Sequence, residues 1–375
     1  MKKQFFQVII SFLLVCVFAA CQVTTNDQNE SEDESVNDTL TLNNPTSRLE
    51  IQRKGGAFSL FQMHDQAVNP LNWQLKTEQM PENNRSGAVF QGHFLCLGRW
   101  GSPSDGEIEA GIPHNGEPSR DAWQVEQSDE RNLKMWCEAP LDGMSIERWV
   151  KMDGENAVFF VEEKVKNISS RGQLHNIVQH ATLGPPFLTV NTVVNTNATH
   201  GFNQAASYPD PYAKAYIWPN GIVVPSDKAI DLRLSNGTDN YVSTHIIEDD
   251  YGWVTANTPE HNLAIGYLWK KSEYPWINVW HHSIDDSPVA KGIEFGTTGI
   301  GKSYEDLLKV DTRFHGYNSF EYLDAGQSQV KSFICFLIPL PTNDGEIKNV
   351  SLVDSGIEIL FDNQEKVLLT TDLKL

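Results

Sequence analysis

The chain has 375 residues, with 29 Lys and Arg against 49 Asp and Glu, and a formal net charge of −20. A field of that sign repels nucleic acid, and the basic residues form no cluster that would follow a phosphate backbone. Apart from Cys16 and Cys21, the cysteines are Cys96, Cys137 and Cys335; their wide spacing argues against a Cys-based zinc site and leaves room for at most one disulfide, so buried free thiols are expected.

In chain order, Lys2 and Lys3 precede an apolar run over 5–20 that ends in Phe18-Ala-Ala-Cys21. A basic start, an apolar run too short for a membrane span and small residues before the cut predict a secretory signal peptide over 1–20. Small residues immediately before a cysteine resemble the bacterial lipobox, which makes Cys21 the lipidated first residue of the mature protein. Gln22 is not the aspartate associated with inner-membrane retention in enteric bacteria, so the expectation is a cell-envelope protein lipid-anchored in the outer membrane. From residue 22 to about 46 the chain is Asn, Asp, Glu, Ser and Thr with almost no large apolar side chain, a composition that cannot offset its ordering entropy. Residues 21–47 therefore read as the lipidated cysteine and an acidic disordered tether, and 48–375 as one folded domain.

Within that domain, short apolar or alternating runs recur at 89–90, 144–152, 158–165, 221–224, 263–269, 276–280, 331–340 and 357–361, separated by Gly, Pro, Asn and Asp clusters. This spacing predicts an all-β, large antiparallel sandwich. The one modest helix candidate lies over 303–310, and no tandem repeat or linker divides the domain. Gly296-Thr-Thr-Gly-Ile-Gly301-Lys302-Ser303 fits the P-loop pattern, but such a loop works at the start of a helix in a parallel α/β sheet. Only about seventy residues follow it and they read as strands, so a glycine-rich turn is expected at 296–303 and no nucleotide.

Several residues are candidates for chemistry. His180 stands in Gln179-His180-Ala-Thr-Leu-Gly184-Pro185-Pro186-Phe187, before a constrained turn, where an imidazole can be held toward a ligand for proton transfer. Glu294 places a carboxylate between Ile293 and Phe295, costly to bury unless paired or functional. Arg99 is a candidate for a sugar hydroxyl or carboxylate, with an ion pair to an acidic neighbour as the alternative. Alternation puts Trp276, Asn278, Trp280 and His282 on one face of a strand; Trp276 and Trp280 would offer a flat platform for a sugar ring, or belong to the core. His281 and His282 point to opposite faces, which argues against a metal site, and none is expected.

These blocks, in order, resemble the aldose 1-epimerase (galactose mutarotase-like) superfamily over residues 48–372. Pro113-His114-Asn115-Gly116 with Trp123 resembles its early His-Gly motif, Val165-Lys-Asn167 its strand ending in Asn, Gln179-His180 with Phe187 its His block, and Ile293-Glu294 its late acidic strand; Tyr322 to Gln327 resembles its closing turn. The chain departs from the family where Asn115 interrupts the His-Gly pair, and where Gly184-Pro185-Pro186 follows the His block.

The resemblance implies a β-supersandwich that interconverts sugar anomers by ring opening. Glu294 would be general base and His180 general acid, with His114 binding a hydroxyl or assisting at the ring oxygen; Arg99, Trp276, Trp280 and His282 stand beside them as substrate-binding candidates from the residue pattern alone. No cofactor is implied, and the partner would be a monosaccharide or oligosaccharide. A non-catalytic carbohydrate-binding lipoprotein and a polysaccharide lyase or hydrolase on the same fold are the alternatives.

Overall fold

The alternating runs form antiparallel strands because successive side chains point to opposite faces, so each strand offers an apolar row to one core. A computed structural model of the protein describes residues 38–341 and 345–375; the predicted signal peptide, Cys21 and the tether as far as residue 37 lie outside the described residues. Ten strands form one sheet, in the order Thr39–Asn43, Ser47–Gln52, Phe58–Met63, His93–Leu97, Ile177–Leu183, Ser287–Gly296, Trp276–Ile284, Tyr241–Ile247, Ala198–Asn203 and Tyr216–Ile217. Eight strands form a second, in which Tyr251–Thr258, Leu263–Lys270, Ser328–Pro339, Val158–Asn167 and Met144–Met152 lie side by side. The sheets are packed on a shared core that includes Phe58, Phe61, Phe159, Phe295, Phe333 and Trp269. The predicted all-β antiparallel sandwich is what the chain forms.

A third, three-stranded sheet of Ile347–Val353, Gly356–Phe361 and Lys366–Thr370 buries Ile357, Ile359 and Phe361 against Trp253, Leu268, Ile334 and Phe336 of the eight-stranded sheet. Residues 331–340 thus face apolar neighbours on both sides, which is why they read as an unbroken apolar run rather than an alternating one.

Four local expectations differ from the structure. Thr39–Asn43, assigned to the tether, is the edge strand of the large sheet: it pairs with Ser47–Gln52, and the Thr-Leu-Thr-Leu alternation buries Leu42 completely. The run at 89–90 pairs with no strand; Phe90 instead stacks on Phe94 at 4.7 Å. The helix expected over 303–310 is only Tyr304–Leu307, and a second helix, Asp105–Glu109, begins at Ser104 with a reciprocal Ser104–Glu107 capping box. Cys96, Cys137 and Cys335 are free and buried, as expected.

One polar network runs through the core between the sheets. Arg148 Nε donates to Glu163 Oε1 at 2.7 Å, and Gln179 Nε2, from the opposite sheet, donates to Glu163 Oε2 at 2.6 Å and to the Tyr274 hydroxyl at 3.0 Å. The Gln179 side-chain Oε1 is 3.1 Å from His93 Nε2, and the Arg148 guanidinium lies over the Trp123 ring at 4.4 Å. Both charges are fully buried, so each depends on the other. Arg148→Met is expected to destabilise the protein by about 3–5 kcal/mol in urea unfolding, through an uncompensated Glu163; replacing both partners with apolar residues should recover part of that loss. A loss under about 1 kcal/mol for the single variant would contradict this account.

Candidate active site

Strand register assembles the site. Ile177–Leu183 lies between His93–Leu97 and Ser287–Gly296, with His180 opposite Phe94 on one side. On the other, the pairings Val178 with Gly296 and Thr182 with Gly292 set His180 opposite Glu294. The next strand brings Asn278 opposite Glu294 and Trp280 opposite Gly292. Odd-numbered neighbours such as Ile177, Gln179, Ile293 and Phe295 fill the sandwich, and the even-numbered residues form the outer face of the large sheet.

On that face His180 Nε2 is 3.3 Å from Glu294 Oε1. Trp100 Nε1 donates to Glu294 Oε2 at 3.1 Å, and His180 Nδ1 is 3.0 Å from the Thr182 hydroxyl. The imidazole stacks on Phe94 with 4.3 Å between centroids. Gly292 makes room for the carboxyl, since a Cβ there would lie 2.6 Å from Glu294 Oε1.

Burial governs the charge state of this pair. It pushes the Glu294 carboxyl up to about 8, against the Trp100 hydrogen bond, which favours the carboxylate. It pulls the His180 imidazole down to about 3, with a smaller contribution from His114. Both directions favour the uncharged pair, with the shared proton on Glu294. The resemblance implied the reverse, a charged histidine beside a carboxylate; desolvation of both partners changes that order.

His180 and Glu294 sit in a cleft of about 310 Å³, whose wall also includes Trp100, His114, Trp280 and Gly301. His114 Nδ1 is 3.1 Å from the Ser102 hydroxyl, and burial, followed by the Arg99 charge, lowers its imidazole to about 4. Trp280 meets Trp73 edge-on at 5.6 Å and forms an aromatic side of the cleft.

The other expected binding residues lie elsewhere. Arg99 is held by Glu107 at 2.9 Å and Asp142 at 3.4 Å, the ion-pair alternative, and does not line the cleft. Trp276 is fully buried with Phe202 and Phe314, its indole N–H on the Asn318 carbonyl at 2.9 Å, so it is core rather than platform. His282 stacks against Trp280 at 6.0 Å, outside the cleft lining, while His281 points the other way, to the Gly237 carbonyl.

The P-loop-like run leaves an antiparallel strand, Ser287–Gly296, and reaches only the four-residue helix Tyr304–Leu307. Its Gly301 amide donates to Gln204 Oε1 at 3.2 Å, which fixes it as cleft wall. Among the described residues no group of three or more His, Cys, Asp or Glu side chains is placed to hold a metal ion, and no helix is long and apolar enough to cross a membrane.

Two contributors were missed in the sequence. Trp100 adjoins the candidate Arg99, yet its contact with Glu294 spans 194 positions of chain and has no local signal. Asn115, which interrupts the His-Gly pair, adopts a positive φ of 62° and accepts the Gly101 amide at 2.7 Å. Asparagine tolerates that conformation, so the insertion is a built turn that carries His114 into the cleft.

No family model matches the sequence, and no curated protein is significantly similar to it. Solved structures do match. A galactose mutarotase related enzyme from Lactobacillus acidophilus superposes with a TM-score of 0.57 at 10% identity, over 81% of this chain and 99% of that one. A galactose mutarotase-like protein from Lactobacillus casei gives 0.56 at 11%, over 80% and 100%. A third, from Clostridium acetobutylicum, gives 0.55 at 13%, over 80% and 95%. The fold of this chain is therefore that of the galactose mutarotase-like superfamily.

Proposed function

We propose that this protein is an aldose 1-epimerase-like enzyme that interconverts sugar anomers, with His180 and Glu294 as its proton-transfer pair. The observation that carries the reading is their direct 3.3 Å contact on neighbouring strands at the floor of a cleft. An aldopyranose opens when the anomeric hydroxyl loses a proton and the ring oxygen gains one. Both oxygens are bonded to one carbon, so a single hydrogen-bonded acid/base pair can serve both.

With the resting proton on Glu294, its carboxyl protonates the ring oxygen as the bond from C1 to that oxygen breaks. His180 Nε2 takes the hydroxyl proton, which leaves an open-chain aldehyde beside a carboxylate and an imidazolium. After rotation about C1–C2 the freed hydroxyl attacks the other face of the aldehyde. The imidazolium then returns its proton to the carbonyl oxygen, and Glu294 takes the proton of the attacking hydroxyl. The pair ends as it began, with no net exchange with solvent. The opposite assignment, Glu294 as base and His180 as acid, starts from the ion pair that burial disfavours. Trp280 supplies an apolar side for a sugar ring, and His114 a hydrogen-bonding group.

Glu294→Gln and His180→Asn are each expected to lower kcat for mutarotation by about 10²- to 10⁴-fold, measured by polarimetry on freshly dissolved α-aldoses. Wild-type protein that accelerates no aldose over buffer would favour a non-catalytic carbohydrate-binding role instead. Because the pair works with one proton between its members, activity falls below the pKa at which His180 gains a second and above that at which Glu294 loses the only one. The shifted values predict a broad plateau between about 3 and about 8, against roughly 4.3 to 6.5 for unperturbed groups. Trp100→Phe removes the hydrogen bond that favours the carboxylate, so the alkaline limb moves to higher pH; a narrow bell near pH 5.4, the mean of the unperturbed values at about that point, would contradict this electrostatic account.

The reading includes a cell-envelope lipoprotein anchored in the outer membrane through Cys21, supported by the Ala-Ala-Cys21 sequence after the apolar run over 5–20. Cys21→Ala is expected to abolish fatty-acid labelling and to release the protein from the membrane fraction. Unchanged labelling would remove the anchor from the reading.

A further inference from the structure

We propose that the cleft continues past His114 into a second sugar subsite, so that the substrate is the reducing end of a disaccharide or longer neutral oligosaccharide. The inference rests on the reading above only for the position of the reducing ring, beside His180 and Glu294. Its own basis is a second depression of about 380 Å³, lined by Pro81, Glu82, Asn83, Pro103, Ile108 and His114. His114 belongs to both cavities, and Ser102, hydrogen-bonded to the His114 ring, lines the second. Each cavity is near the lower end of the range usual for small-ligand sites, about 300–1,000 Å³, so together they suit a ligand of two linked rings better than one.

The second depression has the mixed character that a sugar ring needs. Pro81, Pro103 and Ile108 offer apolar surface to C–H faces, and Ile108 is 46% exposed. Glu82, Ser102 and His114 offer groups for hydroxyls. No Lys or Arg is among the described residues lining either cavity, and Glu82 disfavours an anionic ring; this argues for neutral units rather than phosphorylated or uronate ones.

The walls are also fixed in advance. Asn83 Nδ2 donates to the Ile112 carbonyl at 2.6 Å, and Asn84 bonds both the amide and the carbonyl of His114, at 3.0 and 3.1 Å. The Asp105–Glu109 helix that carries Ile108 is tied down by the Arg99–Glu107 ion pair. Arg99, expected to touch sugar, thus supports the second subsite from behind.

The test is calorimetric binding and mutarotation kinetics on the full chain, with cellobiose, maltose and lactose each compared with glucose, and β-1,4-galactobiose with galactose. The expected result is at least tenfold tighter binding of one disaccharide than of its reducing monosaccharide, with that ratio collapsing toward one in Ile108→Arg. Ile108 is surface-exposed, so the variant is expected to fold, and the wild-type comparison needs no variant. Equal affinity for every disaccharide and its monosaccharide, or an advantage that Ile108→Arg leaves intact, overturns the subsite. Turnover of monosaccharides without any disaccharide advantage overturns the subsite and leaves mutarotation standing. A disaccharide advantage in binding without turnover of any sugar supports the subsite and removes the mutarotation reading.

Discussion

The site depends on the antiparallel register between Ile177–Leu183 and Ser287–Gly296. Side chains alternate with a period of two, so that register sets not only which residues are neighbours but which face each occupies. With Val178 opposite Gly296 and Thr182 opposite Gly292, His180 and Glu294 meet on the outer face while Gln179 and Phe295 enter the sandwich. A slip by one residue would put Gln179 into the cleft and bury His180 in the core. The register is held from both sides: apolar packing on Ile293 and Phe295, and the Arg148–Glu163–Gln179 network that ties the strand before His180 to the opposite sheet. The same strand thus carries a structural polar residue on one face and a candidate catalytic one on the other.

Burial gives the pair its chemistry. Neither group is unusual in sequence, and in water the carboxyl would lose its proton well below neutral pH. Set among Phe94, Trp100 and Trp280, both charged forms are disfavoured, and a carboxyl that keeps its proton near neutral pH faces an imidazole free to accept one. Gly292 contributes by omission, since a larger residue would take the space of the carboxyl. The loop around Gly301, which in sequence resembled a phosphate cradle, forms one side of the cleft.

Much of this was legible in the chain. The alternating run at 144–152 and the unbroken apolar run at 263–269 matched strands almost residue for residue, because each is a local pattern of apolar positions. His180 and Glu294 stood out for reasons that are also local, a histidine beside a constrained turn and a carboxylate among apolar residues. Arg99, Trp276 and His282 were harder. Arg99 finds Glu107 and Asp142 only when a helix and two loops meet, and Trp276 and Trp280 share a strand face while lying under different covering segments, one sealed by Phe202 and Phe314 and the other left open. Side-chain alternation gives the face but not what covers it. Thr39–Asn43 was hidden by its polar composition, which at a sheet edge is compatible with strand pairing once two leucines face the core.

The sequence by itself determined the class of fold, most strand positions and the two residues most suited to proton transfer, because hydrophobic periodicity and the cost of burying a charge are properties of a few neighbouring residues. Only the tertiary structure decided that His180 and Glu294, more than a hundred positions apart, lie 3.3 Å from one another. It also decided that burial raises the carboxyl pKa and lowers that of the imidazole, that Trp100 donates a hydrogen bond to the carboxyl, and that Arg99 pairs with Glu107 and Asp142 away from the cleft lining. These outcomes turn on long-range register and on desolvation, which depends on everything packed around a group rather than on the group itself.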